Sequence, residues 1–311
     1  MRVERRGQSG AALVTAMLVV ALATIVATAM AHRMQLDIQR QGNLQSAERS
    51  YQYAMGLELW ALAALRLDAQ ETPNLDSRLE LWASSLPIID LPEGRLAGQM
   101  EDLDGRFNIN NLFVAGVRQS RQIERFQRLL MQLEVNPQLA EVLVDWMDPD
   151  GTAEPGGAED GEYMRRQPAY RAANRQVSHI SELRALSGMD EDSYQRLLPH
   201  VAALPVDQTP TLVNVNSATL EVLKCLDPAI TQSVAERIHQ DGAANFQSFD
   251  ELQRTLSPIN LLYLRDTIGL DSRYFSAHGM VEVDGRLQHY FSLIEQGQRG
   301  FQVIHRRSGV Y

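Results

Sequence analysis

The fold of this chain is decided by one stretch near its beginning, RRGQSGAALVTAMLVVALATIVATAMAHR, residues 5–33. A basic head precedes 21 residues, 11–31, that carry no charged side chain. A helix needs about 20 apolar residues to cross the hydrocarbon core of a bilayer, whereas the core of a signal peptide has ~7–15. The length therefore predicts a membrane-spanning helix, and the basic residues before it predict a cytoplasmic amino terminus.

The predicted helix continues beyond the membrane span. No proline occurs between residue 31 and Pro73, and apolar residues recur at helical spacing. One continuous helix over residues 11–67 is therefore predicted, about 85 Å long at ~1.5 Å per residue, with an amphipathic second half. An alternative stays open, because Ala29-Met30-Ala31 has the small-residue pattern of a signal-peptidase site, and cleavage there would discard the span. The helical spacing is carried by Met34, Ile38, Leu44, Tyr51, Ala54, Met55, Leu57, Leu59, Leu62 and Leu65.

The composition excludes several classes of function. The 311 residues carry a formal net charge of −10, which disfavours polyanionic partners such as nucleic acid and is compatible with cation binding. Cys225 is the only cysteine, so neither an internal disulfide nor a multi-cysteine zinc site can form. The seven histidines are scattered, and neither a nucleophile elbow nor a phosphate-binding glycine loop occurs, so no enzyme is predicted.

The rest of the chain divides into strand-rich and helical blocks. Residues 94–109 alternate and contain glycine turns, which predicts one or two strands after a polar connection with a short helix around residues 79–86. Residues 279–307 predict three strands, the first two joined by a hairpin turn at Asp284-Gly285. The block between them is mostly helical in pattern, so the fold class is α+β. The predicted boundaries are residues 68–106 and 273–311 for an α/β domain and residues 107–272 for an all-α domain inserted into it.

The helical block contains two further patterns. FNINNL (107–112) and VNVNSATLEVL (213–223) each place Asn-x-Asn before a helix, and Asn is a favoured helix N-cap. Residues 214–256 resemble a helix-hairpin-helix, a SAM-like module of some DNA-binding proteins. The hairpin contains no glycine and carries Asp227, which would repel phosphate. Residues 214–266 have four Lys/Arg against seven Asp/Glu, so DNA binding is not predicted.

Acidic side chains are most crowded in DWMDPDGTAEPGGAEDGEY, residues 145–163, which we call the acidic loop. It contains seven carboxylates and no Lys or Arg, while its glycines and prolines exclude a regular helix. Crowded carboxylates repel unless a cation lies among them, and Ca²⁺ takes about six to eight oxygen ligands. Asp148, Asp150 and Glu159 have part of the EF-hand spacing, but Ala153 occupies the place of the required glycine, so that motif is rejected. A solvated loop without metal remains the alternative.

The amino-terminal pattern resembles the type IV pilins and pseudopilins, in which a short basic leader ends in glycine before a long apolar helix. The resemblance implies that a prepilin peptidase cuts between Gly10 and Ala11 and leaves the helix in the protein; a cut after Gly7 is the alternative. Most members carry Glu at the fifth mature position, where this chain has Thr15. A carboxylate without a partner in hydrocarbon is costly, so its absence suits a subunit with nothing above it, although a merely tolerated threonine would look the same.

Motifs along the chain resemble the K minor pseudopilins of the type II secretion system. They are GRFNINNL, DWMDPDG, GAEDGEY, PAYRAANR, ISELRAL and VNVNSAT, in this order. The resemblance implies a pilin-type α/β domain with an inserted helical domain, placed at the pseudopilus tip with the I and J minor pseudopilins. There it would nucleate the filament and support export of folded proteins. It also implies contacts with the major pseudopilin and the inner-membrane assembly platform, for a single-pass inner-membrane protein whose bulk is periplasmic.

The same resemblance implies that the acidic loop binds calcium, as one or two ions. A membrane-anchored helix-hairpin-helix protein of a DNA-uptake system shares the anchored layout and is the alternative function, which would need a basic face on residues 214–266. The resemblance also implies that Tyr163, Tyr170 and Asn174 pack and hydrogen-bond to fix the loop. The implied calcium ligands are Asp145, Asp148, Asp150, Glu159 and Asp160, with Glu154 and Glu162 as further candidates.

Overall fold

The long helix is the first element of the structure, a computed structural model that describes residues 9–257 and 263–309. It forms one continuous element, α1 (Ser9–Glu71), of 63 residues, which confirms the predicted helix and extends it beyond residue 67. In the described part of the chain, α1 alone is long and apolar enough to cross a membrane by length and composition. Residues 1–8 of the predicted leader lie outside the described residues.

The second half of α1 packs on a five-stranded antiparallel sheet. Asp284 and Gly285 form the hairpin turn between the first two of the three carboxy-terminal strands. Both residues have positive φ, as a tight hairpin requires. The three strands predicted at the end of the chain are confirmed. The sheet contains β1 (Leu86–Leu91), β2 (Gly94–Asp102), β9 (Tyr274–Val283), β10 (Arg286–Gly297) and β11 (Gly300–Ser308), in the spatial order β1-β2-β9-β10-β11, while β3 to β8 are short strands of the insert.

The segment before β2 corrects the sequence-based prediction of a polar connection with a short helix at residues 79–86. A 3-10 helix forms only over Leu81–Ala83, and the chain then enters the edge strand β1. Pro87 and the adjacent apolar pair Ile88 and Ile89 hide the alternating pattern of a strand. Proline is tolerated here because β1 lies at the edge of the sheet, and its register to β2 shifts between Leu86 and Ile89.

Two glycines allow α1 to approach the sheet closely. Gly98 on β2 and Gly279 on β9 face each other in register. A Cβ at either position would meet the Leu57 side chain, at 2.4 Å from Gly98 and 2.8 Å from Gly279. The side chain of Leu57 therefore fills a groove in the sheet that only glycine leaves open. The apolar contact continues toward the end of the helix through Ala61, Leu62, Leu65, Trp82, Met100, Phe275, Ala277, Ile294 and Phe301.

One ion pair, between a buried carboxylate and a half-exposed guanidinium, joins α1 to the edge strand β11. Glu58 is 5% exposed and accepts two hydrogen bonds from the Arg306 guanidinium, from Nε at 2.7 Å and from Nη2 at 2.8 Å. Ser292 Oγ donates a third at 2.8 Å. Burial raises the pKa of Glu58, but the hydrogen bonds from Arg306 and Ser292 outweigh it, so the pKa lies below its ordinary value. Glu58 is thus held as a charged group inside the interface.

The chain between β2 and β9 forms a largely helical insert with its own core. Phe107 stacks on Phe126 at 5.4 Å in this core, which is the largest cluster of buried apolar residues in the described chain. The boundaries at residues 107 and 272 stay a prediction. The helices are α2 (Ser120–Gln132), α3 (Leu139–Met147), α4 (Asp160–Tyr163), α5 (Glu191–Leu197), α6 (Leu220–Leu226), α7 (Gln232–His239) and α8 (Phe249–Leu256).

The two Asn-x-Asn patterns occupy equivalent places in the insert. The second Asn of each, Asn110 and Asn216, bonds both the N–H and the C=O of one residue, Val177 and Phe246 respectively. Each motif also forms a short parallel ladder, between β3 (Phe107–Asn108) and β6 (Val201–Ala202) and between β7 (Val213–Asn214) and β8 (Ile268–Gly269). The two motifs therefore have the same local bonding pattern within the insert.

The expectation that both motifs cap a following helix is right for one of them. Asn108 accepts a hydrogen bond from Asn110 N and begins the 3-10 helix Ile109–Leu112. Asn214 accepts from Asn216 N in the same way, but α6 starts later and is capped by Thr219. The Asn214 side-chain amide instead crosses to the Asp76 carbonyl oxygen, because it lies where the insert meets the rest of the chain.

The ion pair between α1 and the sheet gives a stability prediction. Arg306→Met should lower the free energy of unfolding by about 1–3 kcal/mol, because Glu58 stays buried without its charged partner. Glu58→Gln combined with Arg306→Met should cost less than the sum of the two single changes. The control Arg95→Met removes an exposed contact to Glu282 of 3.9 Å and should change stability by less than about 0.5 kcal/mol. Urea denaturation of the detergent-solubilised chain measures these values, and equal losses for Arg306→Met and Arg95→Met would contradict the prediction.

Candidate metal centre in the acidic loop

Three carboxylates of the acidic loop come together in the structure. Asp145 lies in the last turn of α3, Asp148 caps that helix, and Glu159 immediately precedes α4. One carboxylate oxygen from each lies within 4.8 Å of the other two. The three residues are buried, with Asp145 fully inaccessible and Asp148 and Glu159 at 6% and 8% exposure. Two helix ends therefore bring together residues that are up to fourteen positions apart in sequence.

One oxygen of each of these carboxylates has no partner in the described chain. Asp145 Oδ1, Asp148 Oδ1 and Glu159 Oε1 are buried and form no hydrogen bond. A buried carboxylate oxygen without a donor is costly, and three near one another add mutual repulsion. A divalent cation removes both costs. Ca²⁺ binds oxygens at about 2.3–2.6 Å, so ligand oxygens within 4.8 Å of one another can share one ion.

The environment of these carboxylates favours protonation when no cation is bound. Burial, with a smaller contribution from nearby Asp148, raises the pKa of Asp145 to about 6. Burial and the charges of Asp148 and Asp145 raise the pKa of Glu159 to about 7. The pKa of Asp148 is also raised, by burial and by Asp150. Binding of a cation would therefore compete with binding of protons near neutral pH.

The loop is folded around the second oxygen of Asp145. Asp145 Oδ2 accepts a hydrogen bond from Glu154 N at 3.1 Å. A Cβ at Gly157 would lie 1.9 Å from the same oxygen, so only glycine allows this approach. One oxygen of Asp145 thus shapes the loop while the other is left for a ligand.

The other four implied ligands lie outside this cluster. Asp150 is exposed and accepts from Thr152 N at 2.7 Å. Asp160 accepts from Ala172 N at 3.0 Å. The last two are close to arginines, with 3.7 Å between Glu154 Oε1 and Arg118 Nη1 and 3.6 Å between Glu162 Oε2 and Arg165 Nη1. The structure therefore groups Asp145, Asp148 and Glu159, while a metal-binding role for the other four stays a prediction.

A positive charge near the loop was not foreseen from the sequence. Arg118, in the short strand β5 (Val117–Arg118), lies beside the loop and pairs with Glu141 Oε2 at 2.7 Å. The absence of basic residues between positions 145 and 163 suggested an uncompensated negative charge. Because Arg118 is 27 positions before Asp145, no local spacing pointed to it. Its Nη2 is bonded to Glu141, while its Nη1 and the three cluster oxygens have no hydrogen-bond partner among the described residues.

Aromatic side chains support the carboxylate cluster from within the insert. Trp146 and Tyr163 pack edge to face with ring centroids 5.1 Å apart, and Tyr170 lies 5.4 Å from Tyr163. Tyr170 Oη donates to the Ala185 carbonyl oxygen at 2.7 Å, and Asn174 N donates to the Trp146 carbonyl oxygen at 2.9 Å. The residues expected to fix the loop are placed to do so.

The helix-hairpin-helix-like segment presents acidic chemistry where a DNA-binding hairpin would contact phosphate. The hairpin joins α6 to α7, and Asp227 Oδ1 accepts a hydrogen bond from Ala229 N at 2.8 Å. The backbone amide that could approach a phosphate is therefore occupied by a carboxylate. This arrangement disfavours the DNA-uptake alternative.

Known proteins resemble this chain along nearly its whole length. A family model for the type II secretion system (T2SS), protein K, matches residues 105–206, which contain the acidic loop. The chain is 35% identical to the type II secretion system protein K of Pseudomonas aeruginosa, over 95% of this chain and 91% of that protein. The protein of the same name from Aeromonas hydrophila is 31% identical, over 97% of each chain.

A solved structure shares the fold. It is the crystal structure of the GspK–GspI–GspJ complex from the type 2 secretion system of enterotoxigenic Escherichia coli, with a TM-score of 0.76 and 26% identity. The match covers 88% of this chain and all of the solved one. With a relative at 35% identity along almost its whole length and the fold of a solved relative, this chain belongs to the type II secretion system protein K family.

Proposed function

We propose that this chain is a minor pseudopilin that forms the tip of the pseudopilus with the I and J minor pseudopilins of its own secretion system. The observation that carries the proposal is its similarity in fold and sequence to a chain solved in a GspK–GspI–GspJ complex. The tip complex would nucleate the pseudopilus and support export of folded proteins across the outer membrane. In this role the chain assembles with partners and catalyses no reaction.

The surface of α1 supports assembly with partner helices. Every residue from 11 to 45 is exposed in the isolated chain. The lipid bilayer can cover residues 11–31, but it cannot cover the apolar side chains that follow. Leu44 is 70% exposed and Tyr51, seven residues later on the same side of the helix, is 45% exposed. Helices of the I and J pseudopilins would bury this side.

The amino terminus supports a position at the top of an assembly. Thr15 Oγ1 donates to the Ala11 and Ala12 carbonyl oxygens at 3.1 Å and 3.0 Å, so its polar group is satisfied within α1. A glutamate at this position would need a partner from a neighbouring subunit. A first subunit has no such neighbour above it. The insert, which lies between β2 and β9 in the sequence, would obstruct the addition of a further subunit above this one.

The proposed role also assigns processing and location. Prepilin peptidase would cut between Gly10 and Ala11 on the cytoplasmic side, leaving α1 in the inner membrane as a single span. The rest of the chain would lie in the periplasm, and the inner-membrane assembly platform would add the major pseudopilin below the tip. The apolar span and the membership of a type II secretion family support this arrangement.

We further propose that the acidic loop binds calcium through Asp145, Asp148 and Glu159. The support is the set of three buried, unpartnered oxygens that one cation would satisfy. The chain has no second cysteine that could brace the insert with a disulfide, and a metal ion would instead link the end of α3 to the start of α4. The ion would stabilise the insert.

The assembly proposal predicts the behaviour of one substitution on α1. Co-expressed with its I and J partners and purified in mild detergent, the full-length chain should recover both. Leu44→Glu should reduce this recovery, because a charge would enter the helix interface. Leu287→Glu is the matched control, since Leu287 is 58% exposed and pairs with Glu282, on the face of the sheet opposite the one that packs on α1. Absence of any complex, or equal recovery with both variants, would contradict the proposal.

The calcium proposal predicts a stability change that depends on particular carboxylates. Saturating calcium should raise the melting temperature of the chelated chain by about 5–10 °C, the shift expected for a ligand at roughly 100 times its dissociation constant. Asp145→Asn should remove most of this shift. The control Asp150→Asn should retain it, because Asp150 lies outside the cluster. The same melting temperature with calcium and with chelator would overturn the proposal.

The raised pKa values predict how calcium binding depends on pH. The folded pKa is about 6 for Asp145 and about 7 for Glu159, above their ordinary values. Without metal, the stability from protonation is present at low pH and is lost as pH rises through this window. Calcium needs the carboxylates, so its affinity should rise from pH 5 to pH 7, by about tenfold per unit for each proton displaced. Isothermal titration calorimetry at several pH values measures this, and a flat profile would contradict it.

A further inference from the structure

A second group of carboxylates lies at the end of the long helix, far from the acidic loop in sequence. Asp68 is in the last turn of α1, and Asp76 and Glu80 follow in the connection to β1. One oxygen from each of the three lies within 4.8 Å of the other two. The grouping depends on the turn of the chain after α1, since the residues are eight and four positions apart.

Asp68 is the member of this group that the protein leaves unsatisfied. It is only 8% exposed, and its carboxylate accepts no hydrogen bond and forms no ion pair within the described part of the chain. Within the described residues, hydrogen bonds reach Asp68 only at its backbone carbonyl oxygen, from the N–H and the hydroxyl of Thr72. A carboxylate that is nine-tenths buried and directed at two others, without a donor, points to a ligand that the protein itself does not supply.

The other two carboxylates are held in place by donors. Asp76 is 7% exposed, and its Oδ2 accepts from Ser272 N at 2.7 Å. Both carboxylate oxygens of Glu80 accept hydrogen bonds, which hold this carboxylate close to that of Asp68. Its donors are Thr72 Oγ1 at 3.0 Å, Ser77 N at 2.8 Å and Trp82 Nε1 at 3.0 Å.

The surroundings add negative charge. Asp102, at the end of β2, is buried beside Asp76 and accepts hydrogen bonds from Ser217, Ser272 and Asn214. Among the described residues, no Lys, Arg or His forms an ion pair with the three carboxylates. Burial and the charges of Glu80 and Glu71 raise the pKa of Asp68 to about 7, and burial raises the pKa of Asp76 to about 8. A proton or a cation must therefore offset this charge.

We propose that Asp68, Asp76 and Glu80 form a second calcium site, at the junction of the long helix, the sheet and the insert. All the donors are carboxylate oxygens, without His or Cys, which selects a hard divalent cation over zinc or copper. Calcium fits better than magnesium because it accepts irregular geometry and completes its coordination with water. This site does not depend on whether the acidic loop binds metal.

The position of the site gives it a structural role. Asp68 belongs to α1, Asp76 is bonded to Ser272 where the chain leaves the insert for β9, and Glu80 is bonded to Trp82. Trp82 is 1% exposed and packs edge to face on Phe275 in the core between α1 and the sheet, at 5.2 Å. One ion therefore fixes the insert relative to the helix that carries it. In the proposed tip, this would set how the insert is oriented above the partner subunits.

The experiment counts calcium ions bound to the full-length chain in detergent by equilibrium dialysis. In a background of Asp145→Asn and Asp148→Asn, which removes the acidic-loop site, one calcium per chain should remain, and adding Asp68→Asn should remove it. Glu71→Gln is the matched control, because Glu71 is an exposed carboxylate at the end of the same helix and should leave the count unchanged. Terbium luminescence sensitised through tryptophan gives a second readout, since Trp82 is bonded to Glu80.

The outcomes distinguish a second calcium site from two alternatives: calcium bound only in the acidic loop, and a proton shared by the junction carboxylates. If the loop background fails to fold, the same comparison is made in the unaltered chain, where Asp68→Asn should lower the count by one and Glu71→Gln should not. No calcium beyond that lost with Asp145 and Asp148 would overturn the second site while leaving the loop proposal intact. An Asp68→Asn variant that gains equal stability with calcium and with chelator, at an unchanged count, would also overturn it and show that a proton offsets the charge.

Discussion

The burial of α1 is the constraint on which the rest of the structure depends. A helix of 63 residues cannot bury its apolar surface within one small domain, and it meets three environments along its length. Residues 11–31 suit lipid, the exposed apolar residues after them suit other helices, and from Ser46 onward the helix begins to pack on the sheet. Leu57 enters the groove formed by Gly98 and Gly279, and Glu58 is paired with Arg306. These two contacts fix both the distance and the rotation of the helix on the sheet.

The parts of the fold with local signals were predictable from the sequence. The length of the apolar run and the absence of proline predicted α1, and Asp284-Gly285 predicted the hairpin of β9 and β10, because only a few residues tolerate positive φ at both positions. The edge strand β1 was missed because Pro87 and two adjacent isoleucines mask its alternation. The cap of α6 was misassigned, since Asn214 bonds to the Asp76 carbonyl oxygen across the junction and no local pattern reports a contact of that kind.

The candidate metal centre shows the same division between local and long-range information. Seven carboxylates in nineteen residues predicted that a cation was needed, but composition could not separate Asp145, Asp148 and Glu159 from the four that face solvent or arginine. Which carboxylates converge is decided by where α3 ends and α4 begins. Nothing in the sequence indicated the group at Asp68, Asp76 and Glu80. Its members lie at a helix end and in the connection that follows, and other polar residues separate them in the sequence.

The two carboxylate clusters, in the loop and at the junction, have one feature in common. Each brings three carboxylates together, and in each at least one buried side chain has a carboxylate oxygen that accepts no hydrogen bond from the described residues: Asp145, Asp148 and Glu159 each have one such oxygen in the loop, and Asp68 has no bonded carboxylate oxygen at the junction. A position at the pseudopilus tip is the central claim that links them to the exposed side of α1. Counting this chain in purified pseudopili of different lengths, with a label on the insert viewed by electron microscopy, tests that claim most directly. A tip subunit predicts one copy per filament at one end whatever the length. A copy number that grows with filament length would contradict it.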